Sequence, residues 1–303
     1  MKPRHFLTLL DFSPDELGQL MDRALAIKAE ARPTSYRNLM TGMTMVMIFE
    51  QSSTRTRVSF EVAVSQFGGH TLFLAPGDSQ MSRGELLSDT ARIISSMADL
   101  IVIRAAHKRV STMATHSSVP VINAMSDDFH PCQLLADVLT FIEKRGSIAG
   151  AKVAWIGDGN NVCRSWINAA LQFGFDLQIA CPKGYHPDPV FLQHAAKNVT
   201  IMTDPHVAVS GCDLVVTDTW FSIGTNTNKE ERIKAFTGYC VTEALMREAR
   251  SDTLFMHCLP AYRGTEVSTA VIDGPQSAVW EEAGNRLHAQ KALIDFLLSQ
   301  GEH

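Results

Sequence analysis

Residues 43–67 of the chain read MTMVMIFEQSSTRTRVSFEVAVSQF. The segment 43–49 is almost entirely apolar, which is typical of a strand buried on both faces of a parallel sheet. From Phe60 onward, apolar residues recur at i, i+3, i+4 and i+7, the spacing of one helical face. A buried strand that leads directly into a helix is the repeating unit of α/β folds, so this segment predicts a parallel α/β sheet.

The same alternation of strand and helix recurs along the chain. Further apolar runs that predict strands are His70–Leu74, Asp99–Arg104, Val119–Asn123, Lys152–Gly157, Leu177–Cys181, Val199–Met202, Leu214–Asp218 and Thr253–Cys258. A helix predicted over Pro131–Arg145 separates the strands of the first half from those of the second. Because 303 residues are about twice the usual length of one domain, we predict two parallel-sheet α/β domains joined by this central helix.

The predicted domain boundary falls on that central helix. We expect residues 1–134 to form the first domain and residues 135–286 to form the second. A final helix, roughly Glu281–Ser299, carries apolar residues on one face. We therefore expect the C-terminal helical residues 287–303 to pack back on the first domain.

The composition suits a globular protein and excludes several classes. Apolar residues make up 45% and charged residues 19%, and the net charge of −5 leaves no broad basic surface for nucleic acid. No apolar run reaches the roughly 18–20 residues of a membrane span, and the run Phe6–Leu10 is too short for a signal peptide. The six cysteines are scattered singly without metal-ligand spacing, as is typical of reduced thiols in a cytoplasmic protein.

The turn Ser52–Arg57 lies between the strand and the helix of the opening segment. A helix start directs unpaired backbone N–H groups and the positive end of the helix dipole toward one point. The hydroxyls and two guanidinium groups in this turn are suited to a phosphate or a similar dianion. The alternative is an ordinary Ser/Thr helix cap with solvated arginines, but two arginines among hydroxyls favour the anion site.

Two other features of the first half lie where α/β sheets deliver ligand-binding side chains. Arg104 ends an apolar strand, and His130-Pro131-Cys132-Gln133 begins the central helix. His130 and Gln133 offer hydrogen bonds to a substrate oxygen. Taken singly, each is weak, because a histidine at a helix start is often only a cap.

The second half has corresponding features at its strand ends. Asp218 follows one strand and is placed to pair with a cationic substrate group, although it could also cap the next turn. His257 and Cys258 end another strand, where adjacent side chains point to opposite faces, so a binding role is favoured over a thiol nucleophile. The sequence Gly157-Asp-Gly-Asn-Asn-Val162 only weakly resembles a dinucleotide fingerprint, because Val162 stands where the third glycine belongs.

In combination these motifs resemble the aspartate/ornithine carbamoyltransferase family, and its ornithine branch in particular. The matching motifs occur in the family's order over nearly the whole chain: Ser53-Thr-Arg-Thr-Arg57, His130-Pro-Cys-Gln133, Asp218-Thr-Trp-Phe-Ser-Ile-Gly224, His257-Cys-Leu-Pro260 and Asn285-Arg-Leu-His288. The resemblance implies a first domain for carbamoyl phosphate and a second for ornithine. It implies transfer of the carbamoyl group to the δ-amine of L-ornithine, giving L-citrulline and phosphate in arginine metabolism.

The resemblance also implies roles for individual residues. The carbamoyl phosphate set is Ser53, Thr54, Arg55, Thr56, Gln80, Arg104, His130, Pro131, Cys132, Gln133, Cys258, Leu259 and Arg286. The ornithine set is Asn161, Asp218, Ser222 and Ile223. The catalytic set is Arg104, His130, Asp218 and Cys258.

Within those sets, the resemblance assigns the phosphate to the residues from Ser53 to Thr56. Cys258, Leu259 and Arg286 close the site between the two substrates, and Gln80 reaches the site of a neighbouring subunit. The family therefore implies a homotrimer with shared active sites, without metal or organic cofactor and without nucleic-acid or membrane partners. The chain departs from the family at Ile223, where the ornithine loop usually has Met, and at Arg83-Gly84, where some relatives carry Lys.

Three alternatives remain open at this point. The acceptor could be N-acetylornithine, putrescine or aspartate, although Asp218 disfavours aspartate by repelling its second carboxylate. A non-catalytic relative that only binds carbamoyl phosphate would not need Arg55, Arg104, His130 and Cys258 together. A nucleotide-dependent oxidoreductase rests on the weak glycine pattern alone.

Overall fold

The computed structural model describes residues 3–30, 38–75, 77, 84–193, 197–221 and 229–299. The chain divides into two compact units, Met1–Leu139 with Asn285–His303, and Thr140–Gly284. Each unit is built around a parallel sheet with helices, which confirms the predicted fold class. Among the described residues, no helix has both the length and the apolar character that a membrane span requires.

The first unit holds a four-stranded sheet in the order β2-β1-β3-β4. Its strands are β1 (Thr44–Phe49), β2 (His70–Leu74), β3 (Leu100–Arg104) and β4 (Val121–Met125). Its helices are α1 (Pro14–Ala29), α2 (Thr54–Gln66), α3 (Leu87–Ser95), α4 (His107–His116) and the start of α5 (Pro131–Arg145). All five residues of β3 are buried, because this strand lies inside the sheet and is covered on both faces.

The second unit holds a five-stranded parallel sheet in the order β7-β6-β5-β8-β9. Its strands are β5 (Lys152–Ile156), β6 (Asp176–Ala180), β7 (Val199–Met202), β8 (Leu214–Thr217) and β9 (Leu254–His257). Its helices are α6 (Asn161–Phe173), α7 (Pro205–Val209), α8 (Lys229–Ala235), α9 (Glu243–Met246), α10 (Thr269–Ile272) and the start of α11 (Val279–Ser299). The apolar core includes Trp220, Phe236 and Phe255.

The order of the strands determines where a ligand can bind. In open parallel sheets, a crevice opens beyond the carboxyl ends of the two strands at which the winding direction reverses. In the first unit those strands are β1 and β3, and in the second they are β5 and β8. Arg104 ends β3, and Ser53, Asn160 and Asp218 lie in the segments that follow β1, β5 and β8, so both switch points carry polar residues.

The predicted strands agree with the observed ones to within two residues at each end, and α5 has the predicted bounds. The C-terminal part of the last helix contacts the first unit. Its Phe296 ring lies 4.8 Å from the Phe12 ring, and Asp295 pairs with Arg23 at 2.5 Å. The second half of α11 therefore completes the first unit and brings Arg286 to it.

Candidate active site

The start of α2 is prepared for an anion. Ser53 precedes the helix in an extended conformation and makes no side-chain cap bond to it, so its hydroxyl does not occupy the N–H groups of the first turn. Such N–H groups and the helix dipole attract a dianion. The Arg57 guanidinium is engaged elsewhere: it pairs with Glu61 at 2.8 Å and lies 3.7 Å from the centre of the Phe73 ring. The role of Arg55 at the phosphate stays a prediction.

A buried hydrogen-bond network joins three elements of the first unit. Arg286 of α11 donates to Gln133 Oε1 at 2.6 Å and to Thr56 Oγ1 at 3.0 Å. Gln133 in turn donates to Asp137 Oδ1 at 2.8 Å. All four side chains are buried, and each hydrogen bond holds a charged or polar group in one orientation. The structure therefore brings together the predicted residues Thr56, Gln133 and Arg286.

His130 lies among positive charges just before α5. Burial lowers the pKa of its imidazole well below the usual value, and the charges of Arg286, Arg104 and Arg55 lower it further. The imidazole is therefore neutral at pH 7, with one ring nitrogen able to donate a hydrogen bond and the other able to accept one. Three guanidinium groups close enough to shift one pKa also provide a field suited to a dianionic substrate.

Cys132 and Pro131 occupy the first turn of α5. The Cys132 thiol donates to the Asn123 backbone oxygen at 3.4 Å, and burial raises its pKa to about 12. The thiol stays protonated and is directed to the main chain of β4. Pro131 lies at the first helical position and has no N–H to offer. Their membership of the carbamoyl phosphate site stays a prediction.

In the second unit, Asp218 accepts three hydrogen bonds just after β8. Asn160 Nδ2 donates to Asp218 Oδ2 at 2.7 Å, the Thr219 N–H donates to Oδ1 at 2.7 Å, and the Cys258 thiol donates to Oδ1 at 3.1 Å. The carboxylate is buried and fixed from two neighbouring strand ends. Cys258 therefore orients Asp218 here, which supports a binding role over a covalent one.

Asn160 is a candidate site residue that the site prediction omitted in favour of Asn161. Its Oδ1 accepts from the N–H groups of Val162 and Cys163 at 3.0 and 3.1 Å, so it caps α6 while its amide N–H holds Asp218. An asparagine between a strand and a helix is a recognisable cap signal. The cap also uses the N–H groups that a dinucleotide phosphate would need, which argues against the oxidoreductase alternative. Asn161 follows as the first residue of α6 and is buried.

His257, which directly precedes Cys258, has a structural role. Its Nδ1 accepts from the Leu259 N–H at 2.9 Å, which leaves Nε2 to donate to Glu266 Oε1 at 3.2 Å. Leu259 has a φ of 56°, an uncommon backbone conformation for leucine that this hydrogen bond supports. Asp218, His257 and Cys258 have ligand atoms within 4.8 Å of one another, but both ring nitrogens of His257 are already engaged. The arrangement does not suit a metal ion.

Three predicted site residues lie outside the described part of the chain: Gln80, Ser222 and Ile223. Thr54 and Arg55 begin α2, where Thr54 is exposed and Arg55 is half-buried. Arg104 is buried at the end of β3, and its backbone oxygen accepts from the Glu50 N–H at 2.9 Å. This hydrogen bond joins the carboxyl ends of β1 and β3 at the switch point of the first sheet.

Two family models match this chain. The model for the carbamoyl-P binding domain of aspartate/ornithine carbamoyltransferase matches residues 4–143. The model for the Asp/Orn binding domain of the same proteins matches residues 149–297. Together the matches cover nearly the whole chain. The first includes the four strands of the first sheet, and the second includes the five strands of the second sheet.

Relatives of the chain have similar length and fold. Ornithine carbamoyltransferase of Chromohalobacter salexigens is 54% identical over 301 residues, which cover 98% of each chain. The protein of that name from Hydrogenovibrio crunogenus is 53% identical and covers 99% of this chain and 100% of its own. The solved ornithine carbamoyltransferase from Pyrococcus furiosus is 44% identical with a TM-score of 0.92, over 97% of this chain and 96% of that one. On these matches, the chain belongs to the aspartate/ornithine carbamoyltransferase family.

Proposed function

We propose that this protein is an ornithine carbamoyltransferase that acts in arginine metabolism. It transfers the carbamoyl group of carbamoyl phosphate to the δ-amine of L-ornithine and yields L-citrulline and phosphate. The observation that carries the proposal is the buried Asp218 side chain, which Asn160 and Cys258 hold in one orientation where an amino-acid acceptor can pair with it. The family membership and the names of the relatives support the same activity.

The phosphate group is bound at the start of α2. Ser53, Thr54 and Thr56 supply hydroxyls there, and Arg55 supplies a bidentate guanidinium. This contact stabilises the negative charge that accumulates on phosphate as it leaves. Gln80 completes the phosphate site from a neighbouring subunit.

The carbamoyl oxygen is stabilised by donors from the first unit. As the amine attacks the carbamoyl carbon, a tetrahedral intermediate forms and negative charge develops on this oxygen. Thr56, Arg104 and the neutral His130 donate toward it, while Gln133 and Arg286 keep Thr56 and the carbamoyl group oriented. Because these donors are already fixed, little reorganisation is needed when the charge appears.

The acceptor is bound by the second unit. Asp218 pairs with the α-ammonium of ornithine, and Asn161 holds the α-carboxylate. Ser222 and Ile223 line the rest of the acceptor, and Cys258 and Leu259 position the reacting δ-amine. The effect is one of proximity and orientation, since the neutral amine then attacks without a covalent enzyme intermediate. The residues require no metal or organic cofactor for this chemistry.

We further propose a cytoplasmic homotrimer with shared active sites. Among the described residues, exposed large apolar side chains occur in both units, and self-association through the first unit could cover those that it carries: Leu10, Val58, Leu72, Leu86, Ile93 and Met97. The six cysteines are all free thiols, as suits a reducing compartment.

The activity is tested by supplying carbamoyl phosphate and L-ornithine and measuring the ureido product by a colour assay and the released phosphate. Equal amounts of citrulline and phosphate are expected, above a control without enzyme. Phosphate release without a ureido product would instead indicate hydrolysis, and no turnover of either substrate would contradict the proposed function.

A further inference from the structure

A buried ion pair lies next to the acceptor site without belonging to it. Arg232 of α8 pairs with Asp158 in the loop after β5, and only 5% of the Arg232 side chain and 14% of the Asp158 side chain are exposed. Arg232 Nε also donates to the backbone oxygen of Trp220. Its guanidinium lies 5.0 Å from the Tyr185 ring centre and 5.2 Å from that of Phe236. The guanidinium is thus fixed by charge, hydrogen bonds and two aromatic rings.

The two groups that Arg232 holds flank the Asn160–Asp218 hydrogen bond. Asp158 comes two residues before Asn160, in the loop after β5, and Trp220 comes two residues after Asp218, in the segment after β8. Arg232 is therefore a second link between the same two strand ends that Asn160 and Asp218 join directly. Moving either loop would change the position of the Asp218 carboxylate.

We propose that Arg232 and Asp158 are positioning residues for the acceptor, which place Asp218 for the ammonium group of an α-amino acid. This inference rests on the proposed function and extends it to residues that do not themselves contact the substrate. Asp218 is the group that touches the acceptor, and the ion pair acts through it.

The charges in this region explain why a cation is needed next to Asp158. Burial raises the pKa of the Asp158 carboxyl, the Arg232 charge opposes that rise, and the charge of Asp218 adds to it. The Asp158 and Asp218 carboxylates therefore repel each other, and Arg232 opposes this repulsion by pairing with Asp158. Removing Arg232 leaves two buried carboxylates of like charge at the same switch point.

The experiment measures KM for ornithine, KM for carbamoyl phosphate and kcat in the full-length protein. The variants are Arg232→Met, Asp158→Asn, the double variant and the conservative Arg232→Lys. Arg263→Met is the matched control, because Arg263 forms an exposed ion pair with Asp273 in the same unit. Circular dichroism and gel filtration verify that each protein is folded.

We expect each single removal to raise KM for ornithine about tenfold to a hundredfold, as for other supporting contacts to a ligand-binding group. KM for carbamoyl phosphate should change less than about threefold, because most of the residues assigned to its site lie in the first unit. The double variant should be less impaired than the product of the two single effects, since it removes both buried charges. Arg232→Lys should recover part of the loss, and Arg263→Met should match the wild type.

An unchanged KM for ornithine in folded Arg232→Met and Asp158→Asn would overturn the inference, as would strictly multiplicative effects in the double variant. If Arg232→Met does not fold, Asp158→Asn decides by the same criterion. A wild type that forms no citrulline contradicts the proposed function instead, so the two failures are distinguishable.

Discussion

At the scale of single residues, the site consists of charged groups that are fixed by burial. Arg286 binds Thr56 and Gln133, and Asp218 accepts from Asn160 and Cys258. These side chains are oriented before any substrate arrives. Preorganised groups of this kind stabilise developing charge without a cost of reorganisation.

Arg55 is expected to anchor the phosphate, and Arg57 provides the matched control. Truncating Arg55 to alanine removes a charge-assisted contact to a dianion and should lower kcat/KM for carbamoyl phosphate at least about a hundredfold, or roughly 3–5 kcal/mol. Arg57→Ala should retain near-normal kinetics, because its guanidinium contacts Glu61 and Phe73. Near-normal kinetics in Arg55→Ala would show that the phosphate binds elsewhere.

His130 should make the protein sensitive to acid. Its pKa is lowered in the folded state, so below about pH 6.5 the unfolded chain binds a proton that the folded chain does not. Above about pH 6.5 His130 is neutral in both states and has no pH-dependent effect. As the pH falls below that value, the free energy of unfolding decreases by at most about 1.4 kcal/mol per pH unit. Thermal unfolding of wild type and His130→Gln at pH 8 and pH 5.5 measures it. The variant should lose less stability than the wild type, and equal losses would contradict a buried neutral imidazole.

At the scale of elements, the strands were predictable and the supporting charges were not. Parallel strands inside a sheet are continuous apolar runs, and such runs mark β1, β3, β5, β8 and β9 in the sequence. The positions of the motif residues at the carboxyl ends of these strands were also predictable, because parallel sheets bind ligands at that edge.

The buried charges depend on partners that are distant in sequence. Arg232 lies in the run Lys229-Glu-Glu-Arg232, which is typical of a solvated helix face, yet its partner Asp158 is 74 residues away. Glu266 and Glu282 are also buried, where they accept from His257 Nε2 and from the His257 N–H. A single sequence contains no local signal for such pairings, so Asn160 was the one supporting residue that a cap rule could have identified.

Gly159 should be irreplaceable in the loop after β5. A Cβ at this position would lie 2.3 Å from the Pro187 backbone nitrogen and 2.6 Å from the His186 carbonyl carbon. Gly159→Ala must displace backbone next to Asn160, so it should lower the thermal midpoint and raise KM for ornithine. Gly18→Ala is the control. A Cβ added at this position would have no atom within 4 Å, and alanine stabilises a helix by about 0.5–1 kcal/mol relative to glycine. A Gly159→Ala protein with wild-type stability and KM would contradict this account of the loop.

At the scale of the whole molecule, the proposed trimer predicts complementation between inactive subunits. Arg55→Ala and Gln80→Ala chains should each be inactive alone. If Gln80 acts in a neighbouring site, mixing equal amounts and allowing subunit exchange should restore up to about a quarter of the wild-type rate, the share of sites with both groups intact. A mixture of exchanged chains that stays inactive would count against shared sites.

The most direct test of the central claim is acceptor choice and its dependence on Asp218. The measurement is kcat/KM of the wild type and of Asp218→Asn with L-ornithine, N-acetylornithine and putrescine. The wild type should strongly prefer ornithine, because neither of the other amines presents both an α-ammonium and an α-carboxylate. Asp218→Asn should lose about 2–4 kcal/mol with ornithine while KM for carbamoyl phosphate is largely retained. A wild type that prefers either other amine, or an Asp218→Asn protein that uses ornithine as well as the wild type does, would contradict the account.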